Sequence, residues 1–153
     1  MNERQSPGAS LAIFAALVIA AALTGMLFQP GEWYASLDKP SWTPPAAAFG
    51  IAWTLLYIAI AFAGWLEWRG AEGRADSAVI AWGAQLILNA AWSWLFFGLH
   101  RIGLAFIDIL LLLIAIIAFM ITARSRIARW LFLPYALWVT FAGVLNFSIL
   151  LSN

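Results

Sequence analysis

Gln85, Asn89, Trp92 and Phe96 recur at i, i+4, i+7 and i+11 in the segment AQLILNAAWSWLFFG, which puts all four on one face of an α-helix. Tyr135, Trp138, Ala142 and Asn146 make a matching helical stripe in LPYALWVTFAGVLN, and Trp53 and Tyr57 stand one turn apart with Thr54 beside them. Carboxamides orient a ligand by hydrogen bonding, and indole and phenol faces stack on flat rings for about 1 kcal/mol beyond burial. The chemistry such stripes could do is non-covalent capture of a planar, mostly apolar molecule. Taken singly, Gln85, Asn89 or Asn146 is explained by a bond between packed helices, at about 0.6–2 kcal/mol. The combination points further, because Trp53, Trp92 and Trp138 are too bulky for close helix packing and suit the wall of a pocket.

Other chemistries find few residues. Asp108 is the one acid read inside an apolar span, a default functional candidate, though two turns from a helix start beside His100 and Arg101 a shallow, partly hydrated carboxylate explains it. His100 is the sole histidine, at a helix junction, so as a haem ligand it would act alone. With no cysteine, no HExxH, no Gly-rich phosphate loop and no Ser–His–Asp set, no metal site is expected and conventional hydrolase or transferase chemistry is disfavoured. The halves show no inverted repeat of the kind ion-coupled transporters use.

The elements that must position these residues follow from composition. The chain has 153 residues, 65% hydrophobic and 10% charged, with a mean hydropathy of +0.91, so its solvent is lipid. Its net charge of +1 gives no nucleic-acid footprint. Crossing about 30 Å of hydrocarbon takes roughly 20 helical residues, and polar breaks leave five such runs, near 11–28, 46–68, 78–99, 103–123 and 127–151. They are too long and uninterrupted for barrel strands. The expectation is an all-α membrane protein, a single domain over 1–153 built as a five-helix transmembrane bundle, with the first run retained as a helix rather than cleaved as a signal. Arg4, Arg69, Arg74, Arg124, Arg126 and Arg129 fall on one side and Lys39 and Arg101 on the other, which predicts a cytoplasmic N-terminus in a bacterial cell membrane. Trp33, Trp42, Trp65, Trp68 and Trp130 lie near span ends, where an interfacial belt accounts for them.

One connector is unlike the rest. Residues 29–45 include WYASLDKPSWTPP, with three aromatic rings, three prolines and the only lysine. Pro40, Pro44 and Pro45 fix their own φ and bias their predecessors toward extended conformations, so the segment loses little entropy on ordering. It reads as an interfacial anchor or as a lid over a cavity mouth, with Lys39 free to pair with Asp38 or with an anionic ligand.

WYASLDKPSWTPP, AWTLLY, QLILNAAWSWLFFG and LPYALWVTFAGVLN together resemble the signature segments of the TspO/MBR family, the tryptophan-rich sensory proteins related to the mitochondrial translocator protein or peripheral-type benzodiazepine receptor. The resemblance covers all five spans in order. It implies a dimeric bundle with a cavity beneath the first loop, acting as receptor or carrier for porphyrins and haem-like tetrapyrroles and for isoquinoline carboxamide or benzodiazepine ligands, with no obligatory cofactor. The matching positions are Trp53, Tyr57, Asn89, Trp92, Phe96, Trp138, Ala142 and Leu145, with Trp33, Tyr34, Pro44 and Pro45 from the loop. Trp53 and Trp138 resemble the two tryptophans of a light-dependent porphyrin degradation, which makes an enzyme the alternative; a scaffold acting through a protein partner is the third reading. The end LNFSILLSN lacks the Tyr-plus-basic sterol motif, Ala46 and Ala47 replace an Arg–Trp pair, and Ile80 replaces a small residue at the dimer seam.

Overall fold

The computed structural model describes residues 6–153, so Arg4 lies outside the described residues. The spans are α1 (Pro7–Leu27), α3 (Ala46–Gly70), α4 (Ser77–Ser93) with its π-helical extension Trp94–Gly98, α5 (Ile102–Thr122) and α6 (Arg126–Ser152). A five-residue helix, α2 (Glu32–Ser36), interrupts the first connector. All five long helices are apolar and long enough to cross a bilayer. The first starts at Pro7 rather than at the apolar boundary near residue 11, because Ser6 Oγ accepts the Ala9 N–H at 3.2 Å and a proline fits the first turn.

The spans close a ring. α1 packs on α3 and α4, α3 on α6, α6 on α5 and α5 on α4, giving the order α1–α3–α6–α5–α4. Hydropathy alone leaves this order open. What fixes it is where small and large residues meet. At Gly64 of α3 an added Cβ would sit 2.4 Å from the Trp82 indole of α4 and 2.8 Å from the Phe14 ring of α1. Trp82, 3% exposed, donates its Nε1–H to the Ile60 carbonyl at 2.8 Å and packs on Phe14 at 4.7 Å between ring centroids. Trp65 donates to Pro7 O (3.1 Å) and Ser10 Oγ (3.2 Å), so it ties α3 to α1 as well as lying near the interface.

Asp108 is not the only acid in a span. Glu67, in the last turns of α3, is fully buried, and its two carboxylate oxygens accept the backbone N–H groups of Arg124 (2.9 Å) and Ser125 (2.8 Å). Seen from the sequence it resembles an interfacial charge; in the fold it receives the orphan donors at the start of α6. Asp108 is itself buried at 6% exposure rather than partly hydrated, and its Oδ2 has no hydrogen-bond partner.

On the same side, Asp76 caps α4 by accepting the Val79 N–H at 3.0 Å and pairs with the Arg124 guanidinium. The backbone N–H bond, with help from Arg124, holds its carboxyl below the usual carboxylate range. A depressed carboxylate stabilises the fold fully above its unfolded pKa of about 3.9 and loses that contribution as pH falls through the lower folded value. Because Asn caps as well as Asp and an exposed ion pair adds little, Asp76→Asn should cost less than about 1 kcal/mol at neutral pH. It should also flatten the loss of stability below pH ~4, checked by thermal unfolding across an acid pH series.

Candidate functional site

The carboxamide stripe of α4 is the hub of a hydrogen-bonded chain. Tyr57 Oη of α3 donates to Asn89 Oδ1, Asn89 Nδ2 donates to Tyr135 Oη of α6, and Tyr135 Oη donates to Gln85 Oε1, each at 2.9 Å. Asn89, Gln85 and Tyr135 are 5%, 0% and 0% exposed. The chain leaves Gln85 Nε2 without a partner. Trp53 stacks on Tyr57 at 5.3 Å and meets Tyr135 edge-on at 6.2 Å, so α3, α4 and α6 converge here. Thr54 turns away: it is exposed and donates to its own helix at Gly50 O (2.8 Å).

A second group lies under the connector. Trp92 donates its Nε1–H to Asn146 Oδ1 at 3.1 Å, Asn146 Nδ2 donates to Ile102 O at 3.1 Å, and Trp92 stacks on Phe96 at 5.1 Å. Phe96 sits in the π-helical turn, where an extra residue per turn re-aims side chains. It is buried with Leu145, Ile149 and Ala105, and Trp33 and Tyr34 of α2 close over it edge-to-face, with ring centroids at 5.7 and 6.1 Å. Trp138 joins neither network: it packs on Phe49 (5.6 Å) and Phe141 (5.5 Å), and its buried Nε1–H has no acceptor. Half-buried Ala142 packs against the main core, Pro44 is half-buried, and exposed Pro45 is the N-cap of α3.

The site residues therefore fall into two touching groups bridged by Trp92, with Trp138 alongside. Beneath the connector, where a cavity is expected, these rings pack on one another. Trp138 lines a groove of about 370 Å³ between α3 and α6, with Ala52, Leu55, Leu56, Ala59 and Pro134. Pro134 is inside α6 and has no N–H to donate.

The connector is ordered differently from a simple extended lid. Lys39 Nζ donates to the carbonyls of Tyr34 (2.7 Å), Ala35 (3.2 Å) and Leu37 (2.8 Å), so it closes the C-terminal end of α2 instead of pairing with Asp38. His100, left-handed at φ 56°, stacks on Trp33 at 4.1 Å and 15° between planes. Burial pushes the Tyr34 phenol above its ordinary value. Tyr135, part of the α6 stripe though not among the positions the resemblance supplies, completes the aromatic framework with Phe49, Phe97 and Trp82, which nothing in the sequence singles out. Among the described residues no cluster of His, Asp and Glu could hold a metal ion.

A family model described as TspO/MBR family matches residues 5–151. The chain belongs to the TspO/MBR family. It is 39% identical to protein CrtK of Rhodobacter capsulatus, over 92% of each chain. It is 36% identical to the tryptophan-rich sensory protein of Cereibacter sphaeroides, over 92% of this chain and 89% of that one. To the human translocator protein it is 37% identical, over 84% and 81%. This TspO/MBR chain thus keeps the family's length and five-helix plan, and the aromatic groups above are set within that plan.

Proposed function

We propose that the chain is a membrane receptor or carrier for porphyrins and related tetrapyrroles, held between α3, α4 and α6 beneath the first connector. The observation that carries this reading is the convergence of Trp53, Tyr57, Asn89 and Tyr135 beside Trp138, whose buried indole N–H lacks an acceptor. A buried donor costs about 1–3 kcal/mol when unpaired, so an acceptor-bearing guest between the rings offsets a standing penalty. A porphyrin is broad and flat, with an apolar rim and carboxylates at one edge; indole faces suit the ring and Arg101, exposed on the connector side, suits the carboxylates. The rings that now fill the space must part, which makes α2 and its Trp33 and Tyr34 the movable wall. The names of relatives, translocator protein and tryptophan-rich sensory protein, agree with a ligand-handling role.

We infer the orientation from charge: Arg69, Arg74, Arg124, Arg126 and Arg129 lie toward one end and Lys39 and Arg101 toward the other, a bias that supports a connector on the outer side. In lipid nanodiscs, protoporphyrin should quench the intrinsic tryptophan fluorescence saturably at micromolar concentration. Trp138→Phe with Asn89→Ala should weaken that affinity about tenfold or more, for two lost polar contacts. Unsaturable quenching, or a titration unchanged in the double variant, would count against the reading.

A further inference from the structure

The connector is held to the bundle by two kinds of contact. Trp33, Tyr34 and Trp42 rest on His100, Phe96, Phe97 and Phe141 through ring packing. Such contacts are non-directional and slide at little cost. Hydrogen bonds are directional; apart from local bonds to the flanking helices, Gln29 to Met26 O and Ala48 N–H to Pro45 O, those joining residues 29–45 to a span among the described residues are a single reciprocal pair. The Asp38 N–H donates to Asn153 Oδ1 at 3.0 Å and Asn153 Nδ2 donates to the Asp38 carbonyl at 3.0 Å. The same Nδ2 donates to Ile149 O at 2.9 Å, which orients the carboxamide before it meets the connector. A carboxamide supplies one acceptor and two donors, the set these three partners demand.

We propose that Asn153 is a positioning residue that latches the first connector shut and so sets the rate at which ring ligands enter and leave. The inference rests on the tetrapyrrole-binding reading above. The latch lies where a hinge needs one. Asp38 stands between α2, whose rings cover Phe96, and Pro40, which stiffens the run into α3. Releasing Asp38 frees α2 from α6 while leaving Lys39 to hold α2 together through its own carbonyls. Asn153 touches none of the proposed ligand-lining side chains through a hydrogen bond, so its loss alters the barrier to exchange rather than the bound contacts.

The discriminating variants are close in shape. Asn153→Asp keeps the acceptor, loses both donors and sets a carboxylate against the Asp38 carbonyl. Asn153→Gln keeps the carboxamide on a longer stem. With protoporphyrin as probe and the full chain in nanodiscs, stopped-flow quenching should show Asn153→Ala and Asn153→Asp raising association and dissociation rates together, about threefold to tenfold, with their ratio unchanged. Asn153→Gln should fall between these and the parent. Amide exchange at Asp38, measured without ligand, should accelerate in Asn153→Ala while exchange in α3 and α6 stays at the parent rate.

Unaltered Asp38 exchange in Asn153→Ala overturns the latch, as does faster exchange with unaltered ligand kinetics. A rise in dissociation alone also overturns it, by making Asn153 a ligand contact. If the parent chain shows no saturable protoporphyrin binding, the proposed function falls and this inference with it; saturable binding with rates indifferent to Asn153 sinks this inference alone.

Discussion

Gly64→Ala is expected to lower the thermal midpoint by roughly 10 °C, the largest effect of a single methyl anywhere in the bundle. The added Cβ would lie 2.4 Å from the Trp82 indole, a ring that is buried and tethered to the Ile60 carbonyl. Trp82 is hemmed in, because Phe14 packs on it and itself lies 2.8 Å from the same Cβ position. Either α3 backs away from α1 and α4 or the indole breaks its bond, and overpacking of this kind costs about 1–3 kcal/mol before a hydrogen bond worth about 1 is counted. Gly83→Ala is the control, since a Cβ there meets nothing within 4 Å. Its midpoint should match the parent or rise slightly through better helix propensity. Thermal unfolding in detergent by circular dichroism reads both. Equal midpoints for the two variants would mean that α1, α3 and α4 do not meet as described.

Glu67→Ala should be of similar size, by a different route. Its carboxylate accepts two backbone N–H groups at 2.9 and 2.8 Å in the turn that starts α6. Hydrogen bonds to a charged group contribute about 1.5–3 kcal/mol each, reduced here because the turn is only part-buried and water can reach freed donors. A loss near 3 kcal/mol is expected in denaturant unfolding, with Arg124 and Ser125 amide exchange accelerated before any other site. Glu67→Gln should lose about half as much, since one of its two terminal groups is no longer an acceptor. Glu72→Gln, at a side chain 83% exposed, should be silent. If Glu67→Ala left those two amides protected, the turn would have to draw its stability from the Asp76–Arg124 pair, the Arg129 Nε–H bond to Ala123 O (2.8 Å) and the Ser125 cap on Ala128.

The five spans were legible because a bilayer demands long apolar helices and hydropathy records them. The stripes on α4 and α6 were legible too: Gln85, Asn89 and Trp92 do share a face, and Asn89 and Trp92 do meet Tyr135 and Asn146 across helices. Ring order was not, because it depends on contacts such as Gly64 with Trp82, which no periodicity displays. Glu67 was hidden by its place at a span end, where charges usually face water. The helix α2 was hidden for another reason. Five residues are too few to be helical on intrinsic propensity, and EWYAS holds its shape because Trp33 and Tyr34 pack on Phe96 and Lys39 collects the trailing carbonyls. Lys39 looked like a ligand's counter-ion because a sequence cannot show which acceptor is nearer.

The position of α6 between α3 and α5 carries a consequence for biogenesis. It leaves the ribosome after the other four spans, so a nascent chain with only those four inserted has an open flank. That flank exposes Gln85 and Asn89 to acyl chains until Tyr135 arrives to bind both. A translational stall before α6 should therefore produce a species conspicuous to membrane quality-control proteases, and insertion of α6 is what conceals it.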